Sequence, residues 1–586
     1  MIAIIAIAWL MLILIANPQG AFPLNDDWNY ARSVKSILEE HKLIITQWSL
    51  AASLTQILIG TLACAPFGFS FETLRASTAL LGYCAIAGTY FLCLRTSSDS
   101  RLAAFMALLL ACNPLFFNLS LTFMTDVPFL AAASLTLLSF SRLLKKKDSA
   151  AQGNTIDFKW LATAVLASSA ACLVRQLGLV LPIAFAITFL CHSKLPALKR
   201  IIIGLLPLAI SLILVCGFQF WLGKEAGTLY SYQVEQEYMR QRFAQGFVFV
   251  TGDFMRNIIK AFIYLGVFFL PALPIVVPGF VSSLNKKERL MELGLGIELA
   301  ILLAVALLVS GASMPLADNI FYNIGLGPLL LGLELKEAIP WPMAPPYVMP
   351  LITLLGCIGA GFLFALVIAL TVRVLKGREF LKDPSALRST ALCLTAFYLY
   401  LFVLCIRGFF DRYLLFPMLM LLPLVAASAH LLPSPQNVST TSVNSEQETP
   451  ISVLEAQTFS PLALNWVTAA LLALPLLIFA VAGTHDYLEW NRSRWQALNE
   501  FMQDPTHSAL DIDGGLEFNG WYGYEPKYRD KGGIVLQSSM RHGDTYAITL
   551  GPVKGYKVLK TYPFKRWIPP GAGEIMLLQK QAPSNL

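Results

Sequence analysis

Apolar runs close to the roughly 20 residues that a helix needs to cross a bilayer recur along most of the chain, separated by short polar stretches. The runs predict spans near 2–16, 74–94, 102–121, 127–144, 160–174, 177–192 and 201–222, then near 259–282, 293–312, 347–371, 389–406, 413–432 and 461–482. Ile2 to Ala16 is short for a span, but it lacks the basic flank and the small-residue cleavage site of a signal peptide, so it reads as the first crossing. The expected fold is an all-α polytopic membrane protein of about 13 transmembrane helices, with a small α+β C-terminal extracytoplasmic domain.

Two polar regions interrupt the pattern. Asn17 to about Phe71 is amphipathic, rich in aromatics and too long for a simple turn. After the last span, His485 to Met502 reads as a helix with Leu488, Trp495, Leu498 and Met502 on one stripe. Tyr546–Leu550, Tyr556–Tyr562 and Glu574–Leu578 alternate as strands do. The expected domains are a transmembrane part over 1–432, a disordered cytoplasmic linker of Ser, Thr, Gln, Asn and Glu over 433–460, the last span over 461–482, and an outer domain over 483–586.

Composition agrees with a membrane chain: 56% of its 586 residues are hydrophobic and only 13% charged. A soluble domain carries roughly 25% charged residues. The net charge of +7 could suggest nucleic acid, but its distribution does not. Arg142 with Lys145, Lys146 and Lys147, Lys194 with Lys199 and Arg200, Lys286 with Lys287 and Arg289, and Arg373 with Lys376, Arg378 and Lys382 all fall in loops on one side of successive spans. That bias marks the cytoplasmic side, and with an odd count it puts the N-terminus inside and the tail outside. The ten cysteines lie in apolar segments without a CxxC, and the six histidines show no ligand spacing. No metal site is legible, and assistance by a divalent metal is left open.

Candidate chemistry sits at the outer ends of spans. Asp26 and Asp27 are adjacent carboxylates beside the low-dielectric boundary, where a raised pKa suits a general base. The alternative is a helix N-cap with an acidic first turn. Asp126, followed by Pro128, admits the same two readings. Arg175 interrupts an apolar run, and Arg407 and Arg412 flank Asp411 in a short outer loop. Arginines at that depth are paired or functional, and the guanidinium fork suits phosphate. A local pair of Arg407 or Arg412 with Asp411 is the structural alternative.

Four of these segments resemble motifs of a known family. Asp26-Asp27-Trp28-Asn29-Tyr30-Ala31 resembles the DExxYA signature in the first outer loop of GT-C glycosyltransferases, in the branches of the protein O-mannosyltransferases and the lipid A aminoarabinose transferases. Thr125-Asp126-Val127-Pro128 resembles their TDxP. Leu173-Val174-Arg175-Gln176 stands where they often carry TKG, and Arg412-Tyr413-Leu414-Leu415-Phe416-Pro417 is similar to RYLLP with one residue inserted. The order extends over roughly residues 1–430. The Lys-Pro-Pro of the aminoarabinose branch has no counterpart in Thr46-Gln47-Trp48-Ser49-Leu50-Ala51, which leaves the phosphate contact to Arg175, Arg407, Arg412 or Lys42.

The resemblance implies transfer of a sugar from a polyprenyl-phosphate carrier to a hydroxyl of a lipid, glycan or protein acceptor. The reaction would run at the outer face of a bacterial inner membrane, within the cell envelope. It implies Asp26, Asp27 or Asp126 as catalytic carboxylate, with Asp26 in the place of the first acid of the signature. It implies Arg175, Arg407, Arg412 or Lys42 at the donor phosphate, and Tyr30 and Tyr413 against substrate. A polytopic transporter or lipid flippase is the other class with this many spans. Transporters place charges near the bilayer midplane, whereas the charges here fall at span ends.

Overall fold

The chain is described from a computed structural model that covers residues 1–50, 52–144, 157–193, 195–284, 286–317, 320–321, 345–376, 384–430, 461–528 and 539–581. The expected linker over 433–460 and several of the basic loop residues, Lys145 to Lys147 among them, lie outside these residues.

Helices dominate. Among the described residues, eight are long and apolar enough to cross a membrane. A ninth span results if Ser100–Ala111 and Pro114–Ser120, which meet at 67°, count as one bent crossing. The count expected from hydropathy also drew on apolar helices too short for this criterion: Ile2–Ala16, Phe158–Val174 and Gln176–His192. It drew as well on Asp126–Leu143, whose polar Ser, Thr and Asp positions are buried inside the bundle. The established statement is therefore a polytopic helical membrane protein. Helices approach closely where glycines remove the side chain. A Cβ on Gly266 would stand 2.2 Å from the Gly356 carbonyl, and one on Gly361 would stand 2.2 Å from the Gly296 carbonyl.

The two ends of the bundle differ. Helix Asp126–Leu143 has Asp126 at one end and Arg142 near the other, about 24 Å apart along its axis. At the Arg142 end, Arg388 donates to the Leu144 carbonyl at 3.0 Å, and His430 lies 3.5 Å from Asp99. The opposite end holds the polar loop 17–53, Arg175, Arg412 and the tail.

The last span and the tail helix are one continuous helix, Pro461–Gln503. The expected stripe is present on it, with Leu488, Trp495 and Leu498 buried and Met502 half-buried. Its outer part packs against a four-stranded sheet in the order β1-β2-β4-β3, with β1 Ile512–Asp513, β2 Tyr546–Thr549, β3 Tyr556–Trp567 and β4 Pro570–Lys580. β1 pairs parallel with β2, and the other pairs are antiparallel. The three expected strands are β2, β3 and β4, and they form a small C-terminal sheet beside the helix.

Candidate active site at the outer end of the bundle

The first outer loop turns into helix Asp27–Glu40 with Asp26 at the N-cap position. The Asp26 carboxylate does not cap that helix. It reaches away: Oδ1 accepts a hydrogen bond from Nε1 of Trp48 at 3.1 Å, and Oδ2 lies 3.5 Å from Nη2 of Arg412. Capping therefore does not account for Asp26.

Capping-like work falls to its neighbour. Asp27 is buried, and its Oδ1 and Oδ2 accept from the backbone N–H of Phe123 at 2.9 Å and of Leu24 at 3.3 Å. These bonds fasten the first outer loop to the segment before Asp126. Burial pushes its carboxyl up to about 8, against the pull of the two N–H groups and of Arg75. Asp27 is thus spent on backbone, and of the expected pair only Asp26 faces the other charges.

Asp126 opens its helix beside Thr125 and lies 2.9 Å from Nη2 of Arg175. Arg175 ends helix Phe158–Val174 in extended backbone. Its Nε and Nη2 donate to Thr125 Oγ1 at 2.9 and 2.7 Å. Tyr413 joins the two pairs. The Arg175 guanidinium lies 5.1 Å from its ring centroid and the Arg412 guanidinium 5.5 Å. Tyr30 is buried within the field of Asp26, Arg175, Arg412 and Asp126, and burial raises its phenol further above the usual range. Two acid–arginine pairs and two tyrosines from four separate stretches thus meet at one place.

The two arginines differ in how fully they are used. Arg175 is taken up by Asp126 and Thr125. Arg412 is buried, yet its Nε and Nη1 have no hydrogen-bond partner among the described residues. Buried guanidinium N–H groups left so are costly, and an anion would satisfy them.

The other two expected cations stand differently: Arg407 lies within the field of Tyr413 but is taken up by another acid, and Lys42 is remote. Arg407 is ion-paired with Glu235 of helix Tyr230–Ala244. Lys42 is exposed beyond the far end of helix Asp27–Glu40, about 20 Å along its axis from Asp26. The local alternative for the arginines is also absent, because Asp411 accepts from the backbone N–H of Ile320 at 3.1 Å and of Phe321 at 2.8 Å. Among the described residues no group of three or more His, Cys, Asp or Glu could hold a metal ion.

Sequence reasoning missed the frame around Asp26. Asn25, in left-handed backbone at φ 58°, donates its N–H to Glu517 of the outer domain at 2.9 Å. Glu517 is paired with Arg494 at 2.9 Å, the two side chains being 1% and 0% exposed. Arg32 donates to the Trp521 carbonyl at 2.8 Å, and the Gln47 N–H donates to Tyr524 Oη at 2.7 Å. The Trp28 ring lies 5.5 Å from both Trp48 and Tyr524, and Gly520 lets it approach, since a Cβ there would stand 2.4 Å from the indole. The C-terminal domain therefore holds Asn25 and Trp28, on either side of the two aspartates, and Gln47 next to Trp48.

No curated protein sequence matches the chain. The structure of ArnT from Cupriavidus metallidurans bound to undecaprenyl phosphate aligns with 98% of this chain and 97% of its own, at 15% identity and a TM-score of 0.42. That of the Archaeoglobus fulgidus oligosaccharyltransferase in the apo form aligns with 86% of this chain and 58% of its own, at 16% identity and a TM-score of 0.43. Residues 56–221 match the family described as dolichyl-phosphate-mannose-protein mannosyltransferase. This stretch contains Thr125, Asp126 and Arg175.

Proposed function

We propose that the chain transfers a sugar from a polyprenyl-phosphate carrier to an acceptor hydroxyl at the outer face of a bacterial inner membrane. The observation that carries the reading is the meeting of Asp26, Asp126, Arg175 and Arg412 around Tyr413, with two buried N–H groups of Arg412 unspent. The family match over residues 56–221 supports the same class of reaction.

The acceptor oxygen attacks the anomeric carbon, and the bond from that carbon to the carrier phosphate oxygen breaks. The electron pair stays on the phosphate, a weak base that needs cation contact rather than a proton. Arg412 supplies that contact. Its 3.5 Å pairing with Asp26 is loose enough to exchange for phosphate, and the exchange frees the carboxylate. Asp26 then takes the proton of the acceptor hydroxyl. Arg175, held by Asp126 and Thr125, fixes the shape of the opposite wall and keeps Tyr413 in place. Tyr30 and Tyr413 are the rings against which substrate lies.

The thirteen-span topology belongs to this reading, with Asp26 and the outer domain on one side. Reporter fusions after Lys147 and after Gly483 should report opposite sides, and a shared side overturns it.

The direct test is Asp26→Asn in purified protein supplied with undecaprenyl-phosphate-linked sugars, with transfer followed by mass spectrometry. Turnover should fall by about 10²–10⁴ with donor binding kept. Near-normal turnover in a folded variant would move the base to Asp126. Outer-surface glycans and lipid A from a deletion strain, compared with the parent, would identify sugar and acceptor.

A further inference from the structure

The long helix Pro461–Gln503 is a ruler for height above the membrane. Its apolar run ends at Ala482. β3 descends alongside its polar part: Tyr562 donates to Glu500 at 2.9 Å, the Pro563 carbonyl accepts from Ser493 at 3.1 Å, and the N–H groups of Trp567 and Ile568 each lie 2.8 Å from Asp486. Asp486 lies about 6 Å of helix rise beyond Ala482. The headgroup layer is roughly 5–8 Å deep on each side of the apolar core.

The turn between β3 and β4 therefore lies at headgroup height, and its composition fits that place. Trp567 is 42% exposed, with His485 stacked on its ring at 3.7 Å. Ile568 and Pro569 are half-buried, and Pro570 is exposed. Lys565 is exposed, and Arg566 is braced on the Ala572 carbonyl at 3.0 Å. Of the neighbouring acids, Asp486 is engaged by the two N–H groups of the turn and Glu489 by Arg492, and Glu574 stands exposed on β4 opposite Pro563, two pairs along from Lys565. Tryptophan is enriched at membrane–water interfaces, and basic side chains there are drawn to anionic headgroups.

We propose that the β3–β4 turn, Lys565 to Pro570, is a lipid-binding element that takes the headgroups of anionic phospholipids in the outer leaflet. Trp567 and the prolines enter the layer between headgroups and acyl chains, while Lys565 meets the lipid phosphate. The fixed contact with His485 and Asp486 makes the turn a rigid foot of the outer domain.

The test uses the full chain in nanodiscs of phosphatidylcholine, with or without phosphatidylglycerol and with or without acyl-brominated lipid. The emission lost in Trp567→Phe reports Trp567. It should be quenched by brominated lipid, more strongly with phosphatidylglycerol, and Lys565→Glu should remove that increase. Hydrogen exchange of wild-type residues 565–571 needs no variant, and it should be slower in phosphatidylglycerol discs than in detergent. Unquenched Trp567 emission, or quenching indifferent to phosphatidylglycerol and to Lys565→Glu, or equal exchange rates, would overturn the assignment.

Discussion

Two charged regions meet the chain at adjacent residues, one at the Asn25 backbone and one at the Asp26 carboxylate, and they are built oppositely. Around Glu517 and Arg494 the charges are sealed from solvent, paired at 2.9 Å and tied to the Asn25 backbone. Around Asp26 and Arg412 the carboxylate is 18% exposed and the pair is longer at 3.5 Å. Both arginines keep Nε and Nη1 without a partner among the described residues, but the first region is closed to solvent and its pair is at hydrogen-bond distance, so it is a fastening. The second can trade partners, which is what a binding and proton-accepting site must do.

Breaking the fastening should give the largest effect. Glu517→Ala leaves Arg494 charged and buried and should lower stability by about 3–5 kcal/mol, read by thermal unfolding in detergent. An unchanged melting point would mean that the two regions do not differ as described. Arg412→Ala should act the other way, lowering turnover by about 10²–10³ and weakening donor binding with little change in unfolding. Its counterpart Arg175→Ala leaves Asp126 buried without its cation, so lost expression or stability should come first. If Arg175→Ala is stable and loses donor affinity, the phosphate passes to Arg175.

Trp48→Phe sharpens the comparison further. It keeps the ring against Trp28 and removes only the donor to Asp26. A hydrogen bond to a charged group is worth about 1.5–3 kcal/mol, so a loss of roughly tenfold in kcat with KM kept is expected. In an Asp26→Asn background the same change should have no further effect, and an additive loss would assign Trp48 a separate role.

The smallest effect on turnover should come from Asp27→Asn, because Asp27 is spent on backbone N–H groups. Its signature is in pH. The folded carboxyl titrates at about 8 against an ordinary 3.8, so the folded chain holds a proton that the unfolded chain releases between these values. Its contribution is complete below pH 4 and is lost as pH rises towards 8. Asp27→Asn should flatten that slope in stability, and an unchanged slope would assign it to other groups.

How much of this could be read from the chain follows from the range of each contact. Hydropathy locates the helices because a bilayer demands apolar length, and it also takes in apolar helices such as Ile2–Ala16 that are shorter than a full crossing. The motifs locate Asp26, Asp126, Arg175 and Arg412 because charges at span ends are rare and stand out. Nothing local tells Asp26 from Asp27, since their difference lies in whether Trp48 or the backbone of Phe123 and Leu24 meets the carboxylate. The Asn25–Glu517 bond joins opposite ends of the sequence, and no periodicity announces it. Glu235 similarly removes Arg407 from the candidates through a contact between distant segments.

The unbroken helix Pro461–Gln503 is about 65 Å long, and only its first half is apolar. A bilayer thicker or thinner than that half would be met by a change of tilt, at a modest cost per ångström of mismatch. Arg494 rides on the far half and leads through Glu517 to the Asn25 backbone, one residue from Asp26. A change in the thickness of the surrounding lipid would thereby be passed along the helix to the backbone beside the proposed base.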